Sequence, residues 1–340
     1  MKPRTRAATI LLVPVLALML TMFGFPRGRA DGQGAPEAGK PAPVAGADSE
    51  RVKLGVNAGL SGRRPFPDDN PWNLDISQAP VDPNSDKYLA SIGLNTPLHP
   101  DFGTTWQGVP WGIPYVIVPG DQPRSPVSFE YSDQSDHVLY PIPPNPPIEG
   151  GEKSSGDRHI LIIDRDHWTL YELYAARQEG NAWKAGCGAV FDLSSNTLRP
   201  AGWTSADAAG LPIFPGLARY DEVMEQKEIR HALRFTAKKT RRAYIHPARH
   251  WASRLTDPSL PPMGLRVRLK ASYDISGFPP SAQVILKGLK KYGMILADNG
   301  GNWFVSGAPD PRWPDKEIDT LKRVKGSDFE VIRIGNIVAR

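Results

Sequence analysis

The chain has 340 residues, with 41 basic residues, 36 acidic residues and a single cysteine, Cys187. One cysteine excludes an intrachain disulfide, so packing alone must hold the fold, and a chain of this length can bury a sufficient core. The formal charge of +5 comes from the first 30 residues, which hold Lys2, Arg4, Arg6, Arg27 and Arg29 and no acid; beyond them the two signs balance at 36 each, which gives no reason to expect nucleic acid.

Residues 1–30 read as a secretory signal peptide. Lys2, Arg4 and Arg6 form the positive start, Ala7 to Phe25 is apolar with Pro14 inside, and Gly28-Arg29-Ala30 offers small residues for cleavage after Ala30. The alternative is an uncleaved anchor, since the apolar run is about long enough to span a bilayer. Cleavage is preferred, which leaves no membrane span, and places the protein outside the cytoplasm as a secreted, periplasmic or cell-envelope protein. Residues 31–50 are Gly, Ala and Pro with scattered charge, which predicts a disordered linker. Residues 51–340 are expected to form one β-rich globular domain.

Within that domain, Ser85 to Gly93 predicts a short helix, with Tyr88, Leu89 and Ile92 on one side. Tyr115 to Val118 and Val127 to Tyr131 predict strands. His159 to Asp164 is apolar enough to be buried on both faces, and Thr169 to Ala175 returns as its hairpin partner. Cys187 to Asp192 predicts a third strand, with Glu172 and Asp192 on adjacent strands. A further short helix is expected at Ser205 to Ala209, and a helix over Tyr220 to Glu228. Ile229 to Thr236, Ala243 to Ile245 and Leu265 to Leu269 predict strands. Pro280 to Tyr292 carries the best helical spacing. Met294 to Ala297 and Asn302 to Val305 flank Asp298-Asn299-Gly300-Gly301, a strong hairpin signal, because Asn and Gly accept the positive φ of a tight turn. Many short strands, dense Pro and Gly and few helices argue a mostly β fold, a β-sandwich, jelly-roll-like or open barrel, with two or three appended helices; the alternative is α+β.

Four phrases, Gly210 to Val223, Ile229 to Phe235, Pro261 to Lys270 and Lys290 to Gly307, are similar to a group of uncharacterised exported bacterial proteins. The resemblance spans roughly the last two thirds of the chain and implies no activity.

The candidate chemistry starts from carboxylates, because cleaving a glycosidic bond needs an acid and a base beside it. Glu172, Asp192 and Asp298 are the acid/base candidates, with Asp207 and Asn299 beside them. His246, Arg249 and His250 suit contacts to a sugar, since Arg neutralises an acid group and His carries a proton. Their His-x3-His spacing is a poor metal motif, because Pro247 interrupts it and Arg249 repels a cation. Asp164 and Asp166 are too few for a calcium site, so no metal or cofactor is expected. Trp203 and Trp303 offer a stacking platform. Cys187, between glycines, is either a nucleophile or a small core residue. These residues lead to three readings in order: a secreted carbohydrate-active enzyme, hydrolase or polysaccharide lyase; a non-catalytic binder of polysaccharide or cell-envelope glycan; and a cell-wall thiol enzyme using Cys187.

Overall fold

A computed structural model describes residues 52–333 and 335–339. The signal segment (1–30) and linker (31–50) lie outside the described residues. Among the described residues the fold is mostly β with appended helices, as the turn-rich sequence implies. No helix there is long and apolar enough to cross a membrane.

Two larger sheets organise the described chain. The first is five-stranded, in the order Gly55–Val56, Tyr115–Val118, Ile160–Asp164, Thr169–Tyr174, Cys187–Asp192. Its centre is the apolar run Ile160–Asp164, buried at every position. A strand alternates its side chains, so such a run feeds two cores at once. Leu161 and Ile163 join the main core, whereas Ile160 and Ile162 join a smaller one with Tyr140, Leu173 and Trp183. Trp183 belongs to a three-stranded sheet, Val127–Phe129, Ala182–Ala185, Arg177–Glu179, which covers that second face.

The other large sheet has six strands, ordered Phe329–Val331, Arg266–Leu269, Met294–Asn299, Leu233–Ala237, Phe304–Ser306, His99–Asp101. Its Phe235, Val267 and Ile295 share the main core with Leu161 and Ile163 of the first sheet. Helix Pro280–Lys291 buries Ile285 and Leu289 in the same core. The helix Ser85–Ile92 and the π-helical turn Asp221–Gln226 form where helices are expected. Ser205 to Ala209 instead forms bends and turns. Asp207 N–H donates to Ser205 Oγ (2.9 Å), and that hydroxyl donates in turn to the carbonyl of Leu211 (2.6 Å). Side-chain capture of backbone groups by Ser and Asp competes with helix.

The expected hairpin at Asn299-Gly300 does not close on itself. Leu233–Ala237 inserts between its two arms, parallel to Met294–Asn299 and antiparallel to Phe304–Ser306. Thr236 holds the widened turn: its hydroxyl donates to Gly301 O (2.7 Å) and its carbonyl accepts from Trp303 N–H (3.2 Å). A Cβ at Gly300 would meet Thr236 Oγ1 at 2.7 Å, so the glycine is needed for the close approach of a third strand.

Glu172 sits inside the interface of the two sheets and is fully buried. It faces Ala189 on the neighbouring strand and accepts hydrogen bonds from Ile213 N–H (2.9 and 3.0 Å to its two oxygens) and Phe214 N–H (2.9 Å). It therefore braces the segment after Leu211 against the first sheet. Removing it strands two buried donors, each costing about 1–3 kcal/mol. Glu172→Ala should lose about 2–4 kcal/mol in urea unfolding, and Glu172→Gln, which keeps an acceptor, distinctly less. An alanine variant as stable as the parent would contradict this bracing role.

Candidate functional site

The segment Thr204 to Gly216 lies between the sheets and is gripped from both. From the first sheet, His159 Nε2 donates to Ala206 O (3.0 Å) and Glu172 holds Ile213 and Phe214. From the second, Arg234 on the central strand grips Asp207 with two hydrogen bonds, Nε to Oδ2 (2.7 Å) and Nη2 to Oδ1 (2.8 Å). Ala209 N–H donates to Ala297 O (2.9 Å), one residue before Asp298. Asp207 and Arg234 are both buried, and a buried charge persists only when so partnered. Arg234 also donates to Ser306 Oγ (2.7 Å) and lies 3.5 Å from Asp298 Oδ2.

Asp298 is the member of this group that meets solvent. Protein crowds it on most sides, yet 23% of its side chain stays open. Burial and then the nearby Asp207 charge raise its pKa to about 7, against the pull of Arg234. Glu149 has the same half-open character, at 26%, and the opposite shift. Burial pushes it up, but His159 outweighs burial and holds its carboxyl below the usual range. His159 Nδ1 meets Glu149 Oε2 at 2.6 Å while Nε2 faces a carbonyl. Both ring nitrogens thus face acceptors, which is the setting of an imidazolium. Burial opposes that charge, but Glu149 wins and lifts His159 to about 9.

Arg234 lies within electrostatic reach of both Glu149 and Asp298, and Asp157 acts on both His159 and Asp298. The ligand atoms of Glu149, Asp157 and His159 lie within 4.8 Å of one another, close enough to hold a metal ion if His159 Nδ1 gave up Glu149. Tyr174 closes one side, its ring 5.8 Å from that of His159. The result is a cluster with an anionic carboxylate, a proton-holding carboxyl and two buried cations behind them.

Several residues singled out from the sequence converge here. Asp298 and Asp207 share Arg234. Backbone N–H groups of Arg249 and His250 both donate to Ala209 O (2.8 and 3.1 Å), and His250 Nδ1 meets Ala208 O (2.9 Å). Asn299 is exposed beside Asp298 and donates to Ala252 O (2.9 Å), and Trp203 immediately precedes the gripped segment. Arg249 Nε donates to Arg199 O (2.7 Å), so part of that guanidinium is a loop brace. Burial lowers the pKa of His250, and burial followed by Arg249 lowers that of the exposed His246, so both favour the neutral ring.

Others are not brought to this cluster. Glu172 is enclosed in the interface of the sheets. Asp192 pairs with Thr169 at the far end of its strand, on the face opposite Glu172, and caps Ser194 N–H (2.8 Å) in solvent. The two carboxylates do lie on adjacent strands, as expected, but point to opposite faces. Trp303 is fully buried, stacked between Phe235 (5.7 Å) and Phe329 (5.2 Å), and offers no ring face to a ligand. Asp164 is taken by Arg124 and His167, both at 2.9 Å, and Asp166 by Arg165, so these carboxylates serve ion pairs. Cys187 is buried, with Ser135 Oγ at 3.6 Å, and burial pushes its thiol pKa up, away from the reactive thiolate.

Glu149, His159 and Arg234 are not among the candidates singled out from the sequence, where His159 figures only as the start of a strand. The missed signal is a His at a strand entrance with an acid ten residues earlier, which only the chain's return brings into contact. No protein-family model, curated protein or solved structure matches the chain.

These proton affinities set the pH response of the fold. Glu172 and Asp298 both titrate near 7 in the folded state, above the ordinary carboxylate range near 4, so the native chain holds their protons more tightly and stability falls as pH rises from about 4 to 7. His159, raised to about 9 from an unfolded value near 6.5, adds stability that is lost as pH rises through 9. Thermal unfolding should therefore show Tm falling from pH 5 to pH 9, less steeply in Asp298→Asn. A Tm that rises across that window would contradict the assignments.

Proposed function

We propose that the protein is an exported, glycan-cleaving enzyme of the acid–base type, with Asp298 as acid and Glu149 as its ionised counterpart. The observation that carries this reading is the opposite shift of two partly open carboxyls that share the charge of Arg234. Environments that drive neighbouring titratable groups apart are how a fold obtains an acid and a base at one pH. Asp298 gives its proton to the departing sugar oxygen. Glu149, kept ionised by His159, activates water or attacks the sugar carbon directly. Asp207 keeps the proton on Asp298, and Arg234 limits that effect and fixes both carboxyls.

Hydrolysis fits better than elimination. A lyase must neutralise the carboxylate of a uronic acid to ease removal of its neighbouring proton. At the acid pair the cations are Arg234 and His159, both buried and already hydrogen-bonded. Neither is presented to a substrate. The N-terminal signal read from the sequence supports export, which is where such polymers are met.

The test is release of reducing ends from a broad panel of polysaccharides and cell-envelope glycans. Asp298→Asn and Glu149→Gln should each lower kcat by about 10²–10⁴-fold while leaving glycan binding in place. The rate should fall above about pH 7, as Asp298 loses its proton. Asp207→Asn removes the charge that holds that proton and should move the fall to lower pH. Binding without any release of reducing ends or unsaturated ends across the panel would replace this reading with a non-catalytic glycan-binding role.

A further inference from the structure

A recess of about 380 Å³ opens where the three-stranded sheet meets the first sheet, lined by Ser128, Glu130, Ala175, Arg177, Lys184 and Gly186, among others. Two backbone hydrogen bonds tie its lining to neighbours of the acid pair. Ala175 N–H donates to Asp157 O (2.8 Å), and Gly186 N–H donates to Tyr174 O (2.7 Å). A Cβ at Gly186 would lie 2.6 Å from the Tyr174 ring, so the missing side chain leaves room for that ring, which also lies 5.8 Å from His159. Asp157 and Asp298 of the acid cluster and Glu130 of the recess all lie within electrostatic reach of the Tyr174 hydroxyl.

We infer that this recess is a further sugar-binding subsite, so that the substrate is a glycan chain cleaved internally, with one unit at Asp298 and a later unit beyond Tyr174. The inference rests on the glycan-cleaving reading of the neighbouring acid pair. The volume falls within the range of small-ligand sites. The lining suits a sugar: side chains of both signs and a serine hydroxyl supply donors and acceptors for ring hydroxyls. Arg177 stands directly opposite Lys184 across the strands. Like charges in that position oppose each other. Lys184 is neutralised by Glu179 (2.6 Å), which leaves the exposed Arg177 guanidinium to meet a ligand.

The test separates binding from turnover. Asp298→Asn protein is titrated calorimetrically with disaccharides and hexasaccharides of three β-1,4-linked series: glucose, N-acetylglucosamine and mannuronic acid. The expected result is that one series binds, with the hexasaccharide at least about tenfold tighter than the disaccharide. Adding Ser128→Trp, which fills the recess, or Arg177→Ala, which removes its open cation, should erase most of that gain and leave the disaccharide unchanged. A length-dependent gain untouched by both substitutions would overturn the subsite while leaving the acid pair in place. If the wild type cleaves none of these polymers and the variant binds none of the oligosaccharides, the glycan reading fails and the subsite falls with it.

Discussion

Arg234 is a guanidinium in the middle of a buried strand, and that constraint organises the region around it. A charge in that position must be answered by an anion in good geometry, and Asp207 answers it with two oxygens. Such a pair seldom adds net stability over an apolar one, whereas losing one partner costs about 3–5 kcal/mol. Its contribution is therefore placement. It fixes the Thr204 to Gly216 segment over the second sheet, while His159 and Glu172 fix the same segment to the first. Three buried polar contacts hold one irregular stretch of backbone between two sheets, and the partly open Asp298 lies beside it.

The proton affinities follow from that placement. Poor solvation, and then the repulsion of Asp207 beside the same guanidinium, let Asp298 keep its proton. Glu149 is paired with an imidazolium and stays ionised. The two carboxyls differ because one shares its cation with another acid and the other has a cation of its own. Nothing in either side chain alone distinguishes them.

The sequence carried the periodic parts of the fold well. The run Ile160 to Asp164 announced a strand buried on both faces, because only a double-sided core tolerates such a sequence, and the helix from Pro280 was legible from its start signal and spacing. The turn at Asn299-Gly300 was legible as a turn but misleading as a hairpin. Local turn chemistry fixes the reversal, not what lies between the arms, and Leu233–Ala237, some sixty positions earlier, fills that gap. The site was legible in part. Asp298, Asp207, Asn299, Trp203 and the His250 loop were drawn from the sequence, and the fold brings them together. Their partners Arg234, Glu149 and His159 come from distant segments whose pairing depends on sheet order, which periodicity does not encode. Glu172 stood out because a carboxylate in mid-strand among aromatics is unusual, and its unusual task is to brace backbone amides rather than to meet a substrate.

The acid and base roles depend most on Asp298 holding a proton near neutral pH beside an ionised Glu149. The most direct measurement is a carboxyl-carbon NMR titration of the full chain, with Asp298 assigned by its loss in Asp298→Asn and Glu149 by its loss in Glu149→Gln. The expected result is an Asp298 midpoint near 7 and a Glu149 midpoint below the usual carboxylate range. Two midpoints together near 4, the ordinary range for exposed carboxylates, would contradict it.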